Sequence, residues 1–329
     1  CIFQGNTAEG DGGAIYSTGP LTILGSSFSH NQGYTGGAVS GSFAPLTIAN
    51  SLFTENTAPS GNGGAVYSYR SAVQITFSRF YRNTGRNGGG IWFASTVSSI
   101  QGSRFSGNTA RLNGGGIVID SLSSLTLENS TLDANQAEIA NGSGGGLYNQ
   151  GKLTLVNGSF FKNSAGAGGG LLNERGGTTA ITNSSFLENS ASRTAGGIFS
   201  WTAGVTTQNT ILSSSTRGGN CGGSPFADGS TANFSTDNSC TPGYQQVSPE
   251  ELRLKFQGAV LILQPGSIAI DKVSPAACPA VDQGLSPRST DGNGDGIASC
   301  DAGANEFLPN ETHLYMPLVA NQAGFSTPE

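Results

Sequence analysis

The chain has 329 residues, of which 51 are glycine and only 11% are charged. Such a composition indicates disorder when it has no pattern, but here the glycines recur at regular intervals. The 15 Lys and Arg residues are scattered, and the formal net charge is −6. Because phosphate binding needs clustered cations, we expect no nucleic acid as a partner. We also expect no transmembrane segment, since no apolar run has the required length.

A short motif recurs along the chain at a spacing of about 25 to 28 residues. It consists of a Phe or Leu followed three residues later by Asn. The apolar members are Phe3, Phe28, Phe53, Phe80, Phe105, Leu132, Phe160 and Phe186. The asparagines are Asn6, Asn31, Asn56, Asn83, Asn108, Asn135, Asn163 and Asn189. Leu212 begins a degraded ninth copy, in which Ser215 replaces the asparagine.

Each copy contains two further signatures. One is a pair of small residues before an aliphatic residue, as in Gly63-Gly64-Ala65-Val66. The other alternates apolar and polar residues, as in Leu46-Thr47-Ile48, and predicts a strand with one buried face. A helix is excluded, because each glycine would cost about 1 kcal/mol there. Each repeat is therefore predicted to form three short strands separated by turns.

One such repeat cannot bury its own apolar side chains, whereas stacked repeats can. In-register parallel stacking at about 4.8 Å per rung predicts a parallel β-helix of about nine rungs and about 40 Å. Equivalent residues would then lie directly above one another. The phenylalanines are predicted to form an internal aromatic stack, and the asparagines a structural ladder of side-chain amides.

The paired GG[AG][ILV] and FxxN motifs resemble the repeats of chlamydial polymorphic outer-membrane proteins. The resemblance covers residues 1–215. It implies an all-β protein with a right-handed parallel β-helix, displayed on the cell surface and often adhesive. We therefore expect an extracellular or cell-surface location.

The C-terminal third contains four of the five cysteines. None is part of a CxxC pair, which disfavours zinc. We predict the disulfides Cys221–Cys240 and Cys278–Cys300, formed in an oxidising compartment, and Cys1 as the unpaired cysteine. In Ser248-Pro249-Glu250-Glu251 the serine, the proline and the second glutamate predict the capped start of a short helix.

Residues 216–307 are predicted to be a disulfide-containing cap, and residues 308–329 an extended apolar tail. Over residues 205–307 the sequence resembles the choice-of-anchor C-terminal region of bacterial secreted β-helix proteins. This resemblance implies closure of the helix and attachment to the cell surface. The segments that carry the resemblance are Leu263–Asp271, Cys278-Pro279, Asp282-Gln283-Gly284, Pro287-Arg288 and Cys300–Glu306.

One segment resembles the first half of a calcium loop, with oxygen ligands at Asp291, Asn293 and Asp295. A complete EF-hand is excluded, because Ala302 occupies position twelve. Two alternatives stay open: a polar turn, or a looser calcium site completed by Asp301. We expect no other cofactor.

Six Asn-X-Ser/Thr sequons are candidates for glycosylation. They are Asn129, Asn141, Asn157, Asn183, Asn233 and Asn310.

We predict that the protein is not an enzyme. The residue two positions after the aliphatic residue of each glycine motif is predicted to mark one exposed column. In the repeat that begins at Phe105 this residue is Asp120 or Ile119, and Asp120 is the one acidic candidate of the column. A glycosidase needs two carboxylates about 5–10 Å apart.

The leading hypothesis is a secreted bacterial surface protein with a structural or adhesive function. In a sharper version, subunits assemble head-to-tail into fibres through the first rung and the C-terminal tail, with Cys1 bonded across subunits. A fragment of a longer rod is the alternative to the fibre. The second hypothesis is a protein that binds or degrades polysaccharides, including surface or matrix glycans. Its candidate aromatic residues are Tyr67, Tyr69, Trp92, Phe93 and Trp201.

Overall fold

The structure, a computed structural model, describes residues 1–138, 140–228 and 232–309. They form an all-β, right-handed parallel β-helix of about nine turns, which confirms the predicted fold class. Residues 310–329, most of the expected tail, lie outside the described residues.

Four parallel sheets, here named A to D in the order in which the chain visits them within one turn, form the walls of the helix. Sheet A contains Ile2–Gln4, Ser27–Ser29, Leu52–Thr54, Arg79–Tyr81, Arg104–Ser106, Thr131–Asp133, Ser159–Phe161, Ser185–Leu187, Ile211–Ser213, Phe234–Ser235 and Gln245–Gln246. Sheet B contains Thr57–Asn62, Thr84–Asn87, Thr109–Ala110, Gln136–Ala137, Ser164–Ala167 and Ser190–Thr194. Sheet C contains Ile15–Ser17, Val39–Ser42, Val66–Tyr69, Ile91–Ala94, Ile117–Ile119, Leu147–Asn149, Leu171–Asn173, Ile198–Ser200 and Cys221–Gly223. Sheet D contains Leu21–Leu24, Leu46–Ala49, Ala72–Thr76, Val97–Gln101, Ser124–Glu128, Lys152–Val156, Thr178–Thr182, Val205–Gln208 and Ala227–Asp228.

Sheet B corrects the prediction of three strands per repeat, because six repeats contain a fourth. Its strands directly follow the asparagine of the motif, and Thr84 pairs with Thr57 and Thr109 on the neighbouring turns. These segments are short and polar and show no alternation, so they carried no strand pattern of their own. They become strands because the stacked turns bring identical backbones into register.

The register of sheet A produces the predicted aromatic stack. Phe80 pairs with Phe53 on one side and with Phe105 on the other. Their ring centroids lie 4.9 and 4.6 Å apart, with interplanar angles of 7° and 2°. These separations match the spacing of neighbouring strands, so the backbone sets the distance between the rings.

The asparagines of the motif lie in one buried ladder. The side-chain amide of Asn83 donates to the carbonyl of Phe53 and to Oδ1 of Asn108, both at 3.0 Å. Its own Oδ1 accepts from the backbone and side-chain nitrogens of Asn56, both at 2.9 Å. Similar bonds link the motif asparagines from Asn6 to Asn189. Each amide therefore satisfies backbone groups on neighbouring turns that would otherwise be buried without a partner.

In the degraded ninth repeat a different asparagine continues this pattern. Asn220 accepts a hydrogen bond from the backbone nitrogen of Ser215 and donates to the carbonyl of Leu212. It thus supplies the bonds that an asparagine of the next repeat would make.

The glycine pair forms the corner between sheets B and C. Gly63 has φ +71°, and a Cβ on Gly64 would lie 2.1 Å from the carbonyl oxygen of Gly89 on the next turn. The first glycine therefore supplies a left-handed backbone conformation, and the second permits close approach of two turns.

The β-helix continues beyond residue 215, where the repeat motif ends. Strand Cys221–Gly223 pairs with Ile198–Ser200. In sheet A, Phe234–Ser235 pairs with Ile211–Ser213 on one side and with Gln245–Gln246 on the other. A disulfide joins Cys221 to Cys240 within these last turns. Parallel pairing persists without the motif because the preceding turn offers an unpaired edge.

Residues 247–309, here the C-terminal arm, lie along the flank of sheet A. Helix Pro249–Leu252 has the predicted capping box with Ser248 and Glu251. It is followed by an antiparallel hairpin of Leu254–Gln257 and Val260–Leu263. Short 3-10 helices occupy Asn238–Cys240, before the arm, and Pro275–Ala277 within it. The Cys278–Cys300 disulfide closes a loop of the arm.

The arm is held by a column of hydroxyl groups on sheet A. Thr131 Oγ1 donates to the carbonyl of Ala259 at 2.7 Å. Ser159 Oγ accepts from the backbone of Leu261, and Ser185 Oγ from that of Ala304, both at 3.0 Å. The predicted cap therefore also covers the side of the rod over several turns.

Replacement of Asn108 by Ala should destabilise the protein by at least about 3 kcal/mol, because it removes hydrogen bonds from buried polar groups on the two neighbouring turns. Urea denaturation measures the loss. Asn141→Ala is the matched control, since Asn141 is exposed, and its effect should stay within about 0.5 kcal/mol. Equal effects of the two substitutions would contradict a stabilising ladder.

Candidate functional site

The outer face of sheet C contains several aromatic side chains. Along strand Ile91–Ala94, Ile91 and Phe93 belong to the central core, whereas Trp92 packs outside it. The same alternation on the other strands produces an outward column one residue after each aliphatic position. Its members are Tyr16, Ser40, Tyr67, Trp92, Val118, Tyr148, Leu172 and Phe199.

The column that the sequence marked as exposed lies inside the helix instead. Ser68, Phe93, Ile119, Asn149 and Asn173 are all fully buried. The expectation was wrong by one residue, because neighbouring residues of a strand face opposite sides. Phe93 is therefore a core residue and drops out of the predicted aromatic surface. The residue one position after each aliphatic residue, rather than two positions after it, would have identified the outward column.

Part of the outward column forms a second apolar cluster. Val118, Tyr148, Leu172 and Phe199 pack with Ala167 and Ala195 from the segments that lead from sheet B into the glycine corner. Trp92 is partly buried against one end of this cluster.

Trp201 lies beside the cluster and is 46% exposed. Its ring meets Phe199 edge-on at 5.0 Å, and the guanidinium of Arg175 lies 5.3 Å from its centroid. Tyr67 and Tyr69 are also partly exposed. Four of the five predicted aromatic residues thus reach the surface from sheet C or the turn that follows it.

Polar groups border this face. The hydroxyl of Tyr148 donates to Glu174 Oε2 at 2.8 Å. Burial, and then the hydrogen bond and charge of Glu174, raise the pKa of Tyr148. Burial also raises the pKa of Tyr67, with smaller contributions from Asp11, Tyr69 and Asp120. Both phenols are therefore neutral hydrogen-bonding groups at neutral pH.

Asp120 stabilises a turn through its side-chain carboxylate. Its carboxylate accepts hydrogen bonds from the backbone of Ser95 and Leu122 and from the hydroxyl of Ser123. These bonds hold the turn between sheets C and D, so the oxygens are already engaged.

The side-chain oxygens of the proposed calcium loop bond backbone nitrogens of the same loop. Asp291 accepts from the backbone nitrogens of Gly294 and Gly296, and Asn293 from that of Asp295, as in a polar turn. Asp301 is buried, and its oxygens accept from Asp271 and Phe307 instead. In the described ranges no three His, Cys, Asp or Glu residues are grouped to hold a metal. Asp301 therefore does not complete the loop.

Asp301 instead belongs to a buried charge cluster between the arm and the rod. Arg288 donates to Glu306 at 3.2 Å, to Asn157 Oδ1 at 2.9 Å and to the carbonyls of Asp301 and Gly303. The Arg288 guanidinium thus lies near several carboxyl groups of the arm and links them to Asn157 on the side of the β-helix.

The cluster keeps a proton on Asp301. Burial, and then the negative charge of Glu306, raise the pKa of Asp301 to about 8. Burial also raises the pKa of Asp282 and of Glu306, opposed in both by the Arg288 guanidinium. Glu306 is the better partner for the charge, because it accepts from Arg288 and from the backbone of Ser289 and Asp301.

Four glycosylation candidates are buried in the folded chain, which corrects that expectation. Asn129, Asn157, Asn183 and Asn233 are each at most 9% exposed. The arm covers two of them, since Asn157 donates to Val281 and Asn183 to Asp301. A sequon identifies the acceptor asparagine but does not show whether this residue is buried in the fold. Asn141 is exposed, and Asn310 lies outside the described residues.

The expected fibre contact includes residues that lie outside the described part of the chain. Cys1 is exposed and unpaired, whereas the apolar tail lies in the part of the chain that the structure does not describe. Head-to-tail assembly stays a prediction. Among the described residues, no helix is long and apolar enough to cross a membrane.

A family model, the right handed beta helix region, matches residues 14–212. The chain belongs to this right-handed β-helix family. Residues 1–18 of this β-helix protein also match the Chlamydia polymorphic membrane protein repeat. No curated protein and no solved structure matches it. The choice-of-anchor resemblance of residues 205–307 stays a prediction.

Asp301→Asn should change how the stability of the protein depends on pH. The unfolded chain releases the Asp301 proton near pH 4 and the folded chain retains it to about pH 8, so this group's stabilising contribution is complete below about pH 4 and is lost as pH rises to about 8. Between about pH 5 and 7 the wild type should therefore lose up to about 1.4 kcal/mol per pH unit relative to Asp301→Asn.

Urea denaturation across this pH range gives the two slopes. Asp295→Asn, in the exposed loop, is the control and should keep the wild-type slope. Parallel slopes for wild type and Asp301→Asn would show that Asp301 is ionised in the folded protein.

Proposed function

We propose that this protein is a secreted, non-enzymatic surface protein that serves as a rigid adhesive rod. The observation that carries the proposal is the aromatic outer face of sheet C, where Tyr67, Trp92 and Trp201 reach the surface of a stacked helix. Aromatic side chains are enriched in binding surfaces, because they bury much area with few rotatable bonds.

The rod itself supports this proposal. In-register stacking fixes the outward side chains at the spacing of the turns, so a binding surface needs little ordering when a partner arrives. The match to the Chlamydia polymorphic membrane protein repeat supports a surface location. Two disulfides support an oxidising, extracellular compartment.

Antibodies against the purified chain should label intact cells of the source organism, because the rod is proposed to be displayed outside. Protease treatment of the intact cells should remove this label, while a cytosolic marker protein stays protected. Label that appears only after permeabilisation would contradict the surface location.

Carbohydrate binding is a second candidate, favoured by the same aromatic residues. Sugar rings stack on exposed aromatic rings in the way that other apolar faces do. The engaged oxygens of Asp120 favour binding over degradation.

Both tryptophans of the chain lie on or beside this face, so their fluorescence reports on it. Titration with cellohexaose or chitohexaose should give a saturable change in emission. Trp201→Ala should weaken binding about tenfold, as loss of a central aromatic contact does.

Leu24→Ala is the matched control, since Leu24 is 61% exposed on sheet D. It should leave the affinity unchanged. The absence of a saturable change with either sugar would count against carbohydrate binding to this face, and release of reducing sugars would favour a degrading enzyme.

A further inference from the structure

A second surface feature lies on the outer side of sheet B, away from the outward column of sheet C. It is an open hollow of about 720 Å³. Arg86, Arg111 and Glu138 contribute its charged groups, and Pro59 and Leu112 contribute apolar surface. Thr109 adds a hydroxyl group.

The register of sheet B stacks the two arginines. Thr84 pairs with Thr109 and Gly85 with Ala110, so Arg86 and Arg111, which follow, occupy equivalent positions on successive turns. The backbone of Leu112 donates to the carbonyl of Arg86 at 2.8 Å, which continues this register. Their backbones are therefore about 4.8 Å apart, the spacing of neighbouring strands.

This arrangement places two positive charges side by side, and Glu138, next in the column, is the one carboxylate among the residues that line the hollow. No carboxylate of the described residues forms an ion pair with Arg86 or Arg111 within 4.0 Å. In contrast, Arg104 on sheet A makes a 2.7 Å ion pair with Asp133. Like charges directly opposite each other on neighbouring strands destabilise a sheet. In a chain with net charge −6, an unpaired arginine pair inside a hollow indicates a site for an anion.

We propose that this hollow binds an acidic carbohydrate through its carboxylate or sulfate group. Two guanidinium groups offer forked donors that match either anion, and arginine is weakly hydrated, so the contact survives at a partly wet surface. The apolar surface of Pro59 and Leu112 fits the C–H faces of a sugar ring, and Thr109 offers a hydrogen bond. Glu138 follows Ala137, which pairs with Ala110, so its carboxylate is next in the column and opposes an anion bound there.

This site goes beyond the proposed function, because it lies on another sheet and needs neither the aromatic face nor a surface location. Its test is calorimetric titration of the full chain with oligogalacturonate, dextran sulfate and neutral dextran. At least one anionic probe should bind saturably, and neutral dextran should not bind. The probe that binds distinguishes a carboxylate from a sulfate.

Three variants give the proposal its specificity. The double variant Arg86→Gln/Arg111→Gln should weaken anion binding at least tenfold, and Glu138→Gln should strengthen it by removing a repulsive charge. Arg82→Gln is the matched control, because Arg82 is on the same turn, exposed, and carries the same charge. The affinity of Arg82→Gln for the anionic probe should stay within twofold of the wild-type affinity.

Thermal unfolding separates a binding defect from misfolding. The double variant should be at least as stable as the wild type, since it removes a like-charge contact. The proposal is overturned if neither anionic probe binds saturably, if the double variant binds as the wild type does, or if Arg82→Gln loses as much affinity.

Discussion

The structure depends on one constraint, the exact vertical register of successive turns. The ladder of asparagines enforces it, because each amide bonds a carbonyl and an oxygen on two different turns, as Asn83 does with Phe53 and Asn108. A shift by one residue would leave these buried groups without partners, which costs more than the bonds themselves contribute. The phenylalanine stack adds apolar burial but tolerates exchange, since Leu132 replaces a ring without breaking the pairing.

The same register decides what the surface presents. Any residue type that recurs at an outward position becomes a column along the rod, with members about 4.8 Å apart. Sheet C thereby gathers aromatic side chains, and sheet B gathers two arginines. The two columns have different chemistry because each outward position varies independently of the core. Binding surfaces on such a rod therefore change without a change in its fold.

The C-terminal arm shows how a nonrepetitive segment attaches to a repetitive one. It uses the hydroxyls of Thr131, Ser159 and Ser185, which the register places in a line. The buried Arg288 is bonded both to Glu306 of the arm and to Asn157 of the rod. Burying these charges is costly unless they are paired, so the bonds of Arg288 to both the arm and the rod hold the arm in one position.

The sequence by itself determined the helical stack, its repeat and its ladder of asparagines, because these follow from residues that recur at fixed spacing. Its four C-terminal cysteines, none of them in a CxxC pair, also predicted the two disulfides. It also indicated an aromatic surface, although it marked the wrong side of the strand for a site and included the buried Phe93. Only the tertiary structure decided the fourth sheet, the burial of Asn157 and Asn183, and the removal of Asp301 from the calcium loop. The physical reason is that these features arise from contacts between segments far apart in the chain, where no periodic pattern records which side chain meets which.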